Sequence, residues 1–191
     1  GHTISGLDIA FPAYTYEGLF GTVTGTVKNL NVVGTVSDAF TAGIVVGYLN
    51  EGVVEGCSGG GSVTGRNDLG GLVGYCLNGT IRNCYATASV TSTSEKQADG
   101  CGGLVGELHG SSGNARVFTS YAAGKVVKTG TTGLGGIAGY RYTYYSSDAT
   151  SIIASYYNIS TTKMGDEGNG FGVTSTEMRK QVTFANWDFD N

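Results

Sequence analysis

The chain has 191 residues, of which 34 are glycine and one is proline; 14% of the residues are charged and 40% are hydrophobic. The glycines follow no three-residue period, which excludes collagen, and the apolar content excludes a disordered linker. The net charge of −4 argues against nucleic acid as a partner, because such binding needs clustered Lys and Arg side chains. A chain rich in Gly and Thr with few charges is predicted to be all-β.

Residues 1–16 are predicted to form a strand followed by a loop. The strand is indicated by Thr3, Ile4 and the Leu7–Ile9 segment, and it has no partner before it in the sequence. An unpaired strand at a sheet edge exposes its backbone hydrogen-bonding groups. We therefore expect the natural chain to begin earlier. No apolar run approaches the roughly 20 residues that a membrane-spanning helix needs, so we expect no membrane insertion by this segment.

Residues 17–160 contain a five-residue block that recurs, with closing glycines 26, 27, 32 and 33 residues apart. The blocks are Glu17–Gly21, Gly43–Gly47, Gly70–Gly74, Gly102–Gly106 and Gly135–Gly139. A propeller blade is the less suitable alternative, because it needs four strands in roughly forty residues or more. The repeat predicts a parallel β-helix of about five to six coils, in which each unit stacks on the next.

Each repeat unit is predicted to form two to three short strands, because apolar and polar side chains alternate with a period of two. The glycines are expected to serve tight corners that need a positive φ, or close approach of two backbones. Cys57 and Cys84 both lie ten residues after a closing glycine. The positions matched to them in the other units are Leu30, Ser120 and Ser155.

The four cysteines occupy positions that hold apolar residues elsewhere in the repeat. Cys57 and Cys84 share one position of the repeat. Cys101 aligns with Leu69 and Leu134, and Cys76 aligns with Leu49 and Leu108. We expect free, buried thiols that behave as small hydrophobic groups. A disulfide between Cys57 and Cys84 is the alternative, although stacked parallel side chains give poor dihedral angles for it. The absence of a Cys-x-x-Cys motif makes a zinc site improbable.

A search for catalytic chemistry yields little. His2 and His109 lie in different units, and the sequence contains neither His-Glu-x-x-His nor Gly-x-Ser-x-Gly. Polysaccharide-cleaving enzymes use two carboxylates roughly 5–9.5 Å apart. Asp68 and Asp99 come nearest to equivalent positions but are out of register by one residue, so we expect solvated corner acids. We therefore predict a protein that is not an enzyme, with no catalytic residues, no metal site and no cofactor.

The candidate contact surface is the tyrosine-rich segment that opens the long insertion of the fifth unit. Alternation of tyrosines there would place three rings on one face of a strand. Tyrosine is amphipathic and is ordered at low entropic cost, which suits both protein and sugar partners. Alternatively, the rings pack under the loop at residues 146–150 or cover the end of the array. The predicted binding residues are Tyr140, Arg141, Tyr142, Tyr144 and Tyr145.

Residues 161–191 are predicted to form a loop, a short capping helix and a cap. Thr174 and Glu177 have the spacing of a capping box, so a helix is expected through Met178 to about Gln181. The acidic loop at residues 166–169 is expected to be a polar turn, with weak cation binding as the alternative. The aromatic residues expected to cover the final coil are Phe184, Trp187 and Phe189.

The segment Gly70–Ala86 resembles the GLUG repeat of bacterial surface proteins, whose pattern runs G-G-L-V-G, a polar turn, G-x-I and then N-C-Y-A. His2–Leu7 resembles the strand that precedes such arrays, and Val173–Met178 with Thr183–Phe189 resembles the segment that follows them. The resemblance covers nearly the whole chain. It implies a right-handed β-solenoid at the cell surface and no catalytic residues.

The resemblance also sets expectations about function. Proteins with this repeat include adhesin-type proteins and non-catalytic regions of large secreted proteins, among them immunoglobulin-cleaving metalloproteases. We therefore expect residues 1–191 to be a single β-solenoid domain that acts in adhesion or as a structural spacer. Its location would be extracellular or on a bacterial cell surface, within a longer exported chain, and its partner a host or cell-surface protein or glycan. Two alternatives stay open: a glycan-binding or carbohydrate-active β-helix, and a non-catalytic region of a larger secreted metalloprotease.

Overall fold

The computed structural model describes residues 1–10, 15–111, 113–144, 149–164, 169–184 and 187–188. Strand β1 (His2–Ala10) precedes five coils of short strands. The first coil holds β2 (Tyr16–Glu17), β3 (Phe20–Val23), β4 (Thr26–Lys28) and β5 (Leu30–Ala39). The second holds β6 (Thr41–Gly43), β7 (Val46–Asn50), β8 (Val53–Glu55) and β9 (Ser58–Gly65).

The later coils follow the same order. The third coil holds β10 (Leu69–Gly70), β11 (Val73–Leu77), β12 (Thr80–Arg82), β13 (Tyr85–Ala86) and β14 (Ser89–Ser92). The fourth holds β15 (Cys101–Gly102), β16 (Val105–Gly110), β17 (Ala115–Phe118), β18 (Tyr121–Ala122) and β19 (Val126–Lys128). The fifth holds β20 (Leu134–Gly135), β21 (Ala138–Thr143), β22 (Thr150–Ile153) and β23 (Tyr156–Asn158). Helix α1 (Ile159–Thr162) and strand β24 (Phe171–Val173) come next.

Equivalent strands of successive coils pair in parallel and form four sheets along the rod. Sheet I holds the first strand of each coil, sheet II the second, sheet III the third, and sheet IV the remaining strands together with β1 and β24. This arrangement confirms the predicted parallel β-helix. Each coil contains four or five strands rather than the predicted two to three, because strands as short as Leu69–Gly70 show no period that a sequence pattern can reveal.

Inward-facing side chains stack in apolar columns from coil to coil. Leu69 pairs with Ala42 on one side and Cys101 on the other, and all three are fully buried. Full burial of a leucine or valine side chain stabilises a fold by roughly 1.5–3 kcal/mol. The four cysteines are buried and free, as expected from their alignment with apolar residues. The disulfide considered for Cys57 and Cys84 is absent.

The repeated glycine block forms the corner between sheets I and II, where the backbones of neighbouring coils approach closely. A Cβ atom on Gly71 would lie 2.4 Å from the carbonyl oxygen of Gly103, and one on Gly103 would lie 2.3 Å from that of Gly136. The block glycines do not adopt a positive φ. Close approach, rather than a left-handed backbone, is therefore the reason for glycine in the block.

The corner between sheets III and IV uses a positive φ angle in all five coils. The residues there with φ between 40° and 59° are Asn29, Gly56, Asn83, Thr119 and Ala154. The next position in each coil lies at the entry to sheet IV. Strand pairing aligns Leu30, Cys57, Cys84, Ser120 and Ser155 at that position, which confirms the alignment predicted from the repeat.

Helix α1 closes the C-terminal end of the core. The side chain of Asn158 accepts a hydrogen bond from Ser160 N at 3.0 Å and so caps the first turn. Thr162 is buried, and Ile159 and Met164 pack against the apolar core. The end of the last coil is therefore covered by residues directly after β23.

The predicted capping box forms, but the segment after it is not an α-helix. Glu177 N donates to Thr174 Oγ1 at 3.2 Å, and Thr174 N donates to Glu177 Oε2 at 2.7 Å. Two short 3₁₀ helices follow, Glu177–Arg179 and Gln181–Thr183. The capping residues satisfy the first backbone donors without committing the chain to further α-helical turns.

Two of the predicted capping aromatics lie on the outer side of sheet IV. Trp187 Nε1 donates to the carbonyl oxygen of Ala154 at 2.8 Å, and its ring centroid lies 6.3 Å from that of Tyr121 and 6.1 Å from that of Tyr156. Phe184 packs against Tyr156 at 5.1 Å. They cover the side of the last two coils and not the end. Phe189 lies outside the described residues.

Candidate functional site

The predicted tyrosine segment lies in β21, at the C-terminal end of sheet II. Tyr140 pairs with Glu107, and Tyr142 pairs with His109, so both tyrosines lie on the outer face of the sheet. Tyr144 follows the strand and is 62% exposed. Its ring lies 6.4 Å from that of Tyr142. Tyr145 lies outside the described residues.

Arg141 is separated from these rings by the alternation of the strand. It pairs with Leu108, whose side chain is fully buried in the fourth coil. The guanidinium donates to Thr150 Oγ1 at 3.2 Å and to the Thr150 carbonyl oxygen at 2.8 Å. Arg141 thus fastens β21 to β22 at the end of the rod. The structure assigns it a structural contact rather than a place beside the tyrosine rings.

The rings of Tyr142 and Tyr144 are the end of a longer row, called the ring row here. Successive centroids lie 4.7, 5.3, 5.6, 4.5 and 6.4 Å apart. Most of these distances are near the spacing of about 4.8 Å between paired strands, because each coil contributes a ring next to that of its neighbour. The ring row consists of Tyr16, Tyr48, Tyr75, His109, Tyr142 and Tyr144.

The rings of the row pack against one another, and each is at least partly exposed. Neighbouring planes are tilted by 34° between Tyr16 and Tyr48 and by 43° between Tyr48 and Tyr75. Since each ring partly covers the face of the next, the row offers ring edges and phenol hydroxyl groups to a partner. Tyr16 is 45% exposed, so the row is accessible at both ends.

The sequence analysis found only the C-terminal part of this row. A signal for the rest is present, since the residue directly after the closing glycine is tyrosine in three units: Tyr48, Tyr75 and Tyr140. Strand pairing places these residues, with Glu107 between the last two, in one outward-facing ladder.

Glu107 interrupts the tyrosine ladder and lies within hydrogen-bonding distance of His109. Glu107 Oε1 lies 2.8 Å from His109 Nδ1, and the Tyr75 hydroxyl lies 2.8 Å from the same nitrogen. The side chains of Glu107 and His109 are 12% and 20% exposed. A protonated Nδ1 donates to the carboxylate, whereas an unprotonated one accepts from the hydroxyl. The hydrogen bonds of this cluster therefore depend on its protonation.

Asp68 lies beside this cluster, directly before strand β10 of sheet I. Its Oδ1 accepts a hydrogen bond from Gly100 N at 2.8 Å. Burial raises the pKa of Asp68 to about 8, and the nearby negative charge of Glu107 adds to the effect. Burial, with a contribution from Asp99, raises the pKa of Glu107 to about 7. Burial lowers the pKa of His109.

The expectation that Asp68 and Asp99 are solvated corner acids is wrong. Asp99 is 7% exposed and accepts a hydrogen bond from Ser94 Oγ. Its backbone carbonyl accepts a hydrogen bond from Lys128 Nζ at 2.6 Å. Asp68 is partly buried and hydrogen-bonded to the next coil. Neighbouring coils therefore bring Asp68, Asp99 and Glu107 near one another, close to Tyr75 of the ring row.

The described residues show no metal centre and no helix suited to a membrane. In those ranges, no three His, Cys, Asp or Glu side chains are grouped so that they could hold a metal ion. The loop at residues 166–168, considered above for a cation, falls outside them. Among the helices that the structure describes, none has the length and apolar character needed to cross a membrane.

Comparison with known proteins identifies the repeat. Residues 65–91 match the family model of the GLUG motif, which confirms the resemblance predicted from the sequence. The match runs from the end of β9 into β14, so one motif corresponds to about one coil of the rod. The motif thus describes the unit that stacks, including the glycine corner and the start of sheet IV.

A curated relative comes from Evansella cellulosilytica, where it is provisionally named a Gly-rich membrane protein. It is 34% identical to this chain over 113 residues, which make up 58% of this chain and 12% of the relative. The chain therefore spans a small part of the length of the relative that it matches. The motif identifies the repeat unit of this chain, and the relative is similar over a little more than half of it.

Proposed function

We propose that this chain, a β-solenoid that carries the GLUG motif, is a non-catalytic module of a longer extracellular or cell-surface protein and that it acts in adhesion. The observation that carries the proposal is the ring row, which runs through all five coils. A spacer needs only the inward-facing side chains that stack the coils. Six aligned rings on an outer face are not required for that purpose, and they supply contact area to a partner.

The chemistry of the ring row suits a flat partner surface. Ring edges and hydroxyl groups combine apolar contact with hydrogen bonding, and the rings are already held in place by their neighbours. A host or cell-surface protein or a glycan has the groups to match. The role as a bare spacer and the role as a non-catalytic region of a secreted protease are the competing assignments.

The test measures binding of the fluorescently labelled domain to cultured epithelial cells and to a printed glycan array. We expect the variant Tyr142→Ala with Tyr144→Ala to lose binding at least tenfold while its melting temperature stays within a few degrees. Phe171→Ala serves as the matched control, because Phe171 is 56% exposed on sheet IV. Equal binding by both variants, or no binding by the folded wild type, contradicts adhesion through the ring row.

A carbohydrate-active β-helix is the second candidate, and the pair Asp68 and Glu107 favours it. The two acids come from neighbouring coils and both have a raised pKa, which is a property of general acids in glycoside cleavage. The test incubates the domain with a panel of polysaccharides between pH 5 and 8 and measures released reducing ends. If the wild type releases reducing ends and Glu107→Gln does not, the domain is an enzyme. If the wild type releases none, the result supports the non-catalytic module.

A further inference from the structure

A second aromatic stack lies on sheet IV, on a different side of the rod from the ring row. Strand pairing aligns the residues that follow the cysteine and serine corner: Asn31, Ser58, Tyr85, Tyr121 and Tyr156. The position is aromatic from the third coil onward and small and polar before it. The stack of rings therefore ends at Tyr85.

Tyr85 packs face to face on Tyr121 and remains open toward the second coil. The two ring centroids lie 5.0 Å apart, and the planes differ by 5°. The equivalent residue in the second coil, Ser58, carries no ring, and Tyr85 is 38% exposed. In the part of the chain that the structure describes, the ring partner of Tyr85 is Tyr121 on its far side. An aromatic face thus borders the space above the first two coils.

That space is a cavity of about 420 Å³ whose walls include His2, Thr3, Asn29, Asn31, Ser58 and Tyr85. A second cavity of about 500 Å³ lies on the other side of Tyr85, against Asn83, Tyr121 and Trp187. Both cavities are bordered by Tyr85, and the two together are called the Tyr85 trough here. Each volume falls in the range of roughly 300–1,000 Å³ typical of small-ligand sites.

The Tyr85 trough is lined mostly by uncharged polar groups and rings, with one carboxylate, Asp188, in the wall of the second cavity. The described lining residues include asparagine, serine and threonine side chains but no Lys or Arg. Asn29 lies at a positive φ of 57°, and its Oδ1 would be 2.7 Å from a Cβ atom on Gly56. The glycine in the second coil therefore leaves room for the amide at the floor of the trough. Nucleic acid does not suit this lining, because phosphate binding needs cations.

We propose that the Tyr85 trough binds a neutral glycan chain. A pyranose ring lies against the open face of Tyr85, since the C–H face of a sugar is apolar and an aromatic ring offers matching apolar area. The hydroxyl groups of the sugar pair with the amides of Asn29 and Asn31 and with Thr3. The trough follows the rod axis, so further sugar units extend along it. This site goes beyond the adhesion proposed for the ring row, because it uses another sheet.

The test is affinity electrophoresis of the purified domain through native gels that contain mannan, hydroxyethylcellulose or soluble xylan. Polygalacturonate, which is negatively charged, is the control polymer. We expect at least one neutral polymer to retard the wild type. Tyr85→Ala should weaken the retardation at least tenfold, whereas Tyr85→Phe should stay within threefold because it keeps the ring. Asn29→Gly should weaken binding several-fold without unfolding, since glycine accepts a positive φ.

The ring-row variant Tyr142→Ala with Tyr144→Ala separates this proposal from the adhesive one. It should be retarded as strongly as the wild type, since neither residue borders the Tyr85 trough. If the ring-row variant is no longer retarded while Tyr85→Ala still is, the Tyr85 site is overturned. The ring row is then the glycan site. The Tyr85 site is also overturned if no neutral polymer retards the folded wild type, or if only polygalacturonate does.

Discussion

The backbone N–H of Cys57 donates to the thiol sulfur of Cys84, one coil further along, across a distance of 3.4 Å. The same relationship continues along the rod, where Cys84 N donates to Ser120 Oγ at 3.1 Å and Ser120 N donates to Ser155 Oγ at 3.2 Å. Each acceptor side chain also donates to a carbonyl two residues before it, as Ser120 Oγ does to Phe118 O at 2.6 Å. Cysteine and serine can replace each other at this corner because both supply a small hydrogen-bond acceptor.

The first prediction concerns this row of hydrogen bonds. Cys84→Ala removes the acceptor of a buried donor, which should lower the free energy of unfolding by about 1–3 kcal/mol. Cys84→Ser keeps an acceptor at the same place and should change the free energy of unfolding by less than about 1 kcal/mol. Urea denaturation of the three proteins measures the difference. Equal stability of the two variants would show that the thiol contributes only its volume.

The second prediction concerns the glycine corner. Gly103→Ala places a Cβ atom 2.3 Å from Gly136 O and 2.8 Å from the Ala122 side chain, so neighbouring coils must move apart. Overpacking of this kind costs about 1–3 kcal/mol. Gly25→Ala is the matched control, because a Cβ atom there has no neighbour within 4 Å. Thermal melting should separate the variants, and a similar loss in both would contradict the close-approach explanation.

The third prediction concerns the internal contacts of the ring row. Tyr48→Ala removes two ring–ring contacts, each worth about 0.5–1.5 kcal/mol, whereas Tyr144 is 62% exposed at the end of the row. The free energy of unfolding should therefore fall by about 1–3 kcal/mol for Tyr48→Ala and by less than about 1 kcal/mol for Tyr144→Ala. Denaturant titration measures both. The reverse order would exclude mutual support between the rings.

The fourth prediction concerns pH. The folded-state pKa values of Glu107 and Asp68, about 7 and about 8, lie above the ordinary values of 4.5 and 3.8. The folded chain therefore holds these protons more tightly than the unfolded chain, and their contribution to stability is complete below about pH 4 and is lost as the pH rises to about 8. The lowered pKa of His109 acts in the opposite direction just below pH 6.5. Glu107→Gln should therefore melt at a higher temperature than the wild type at pH 8.

Melting curves from pH 4 to 8.5 check this expectation. The difference in melting temperature between Glu107→Gln and the wild type should shrink as the pH falls, because the wild-type carboxyl becomes neutral. Glu51→Gln, at an exposed position, should track the wild type at every pH. A difference for Glu107→Gln that stays constant across the range would mean that the carboxyl keeps one protonation state.

The fifth prediction uses Trp187, the single tryptophan of the chain. Its contacts with sheet IV include a hydrogen bond to Ala154 O and ring contacts with Tyr121 and Tyr156, whereas inner coils are paired on both sides. On heating, the tryptophan emission should shift to longer wavelength before far-UV circular dichroism reports loss of the strands. Coincident transitions would show that the segment unfolds together with the coils. Val182→Ala, at an 85% exposed position, should alter neither transition.

The register of the coils was predictable because a parallel strand must stack on its own equivalent in the next unit. For this reason the alignment of Cys57 with Cys84 followed from counting residues. The number of strands in a coil was not predictable, since β10 and β13 have two residues each. The role of the block glycines also depends on how near two coils come, which only the closed structure reveals.

The candidate site was predictable only in part. Alternation within one strand located Tyr140 and Tyr142, because that pattern is local. The ring row and the neighbouring acids Asp68 and Glu107 are assembled from different coils, so their contacts arise only when the solenoid closes. The raised pKa values follow from burial, which no spacing of acidic residues in the sequence indicates.

The parallel pairing of the coils has a mechanical consequence. Hydrogen bonds between coils lie along the rod axis, so a force that pulls the two ends apart opens them a few at a time rather than shearing a whole sheet. Each coil that detaches frees 26 to 33 residues, or roughly 90–120 Å of extended chain, in place of about 5 Å of rod. Such a rod would lengthen in steps under tension and limit the load that reaches whatever is attached to either end.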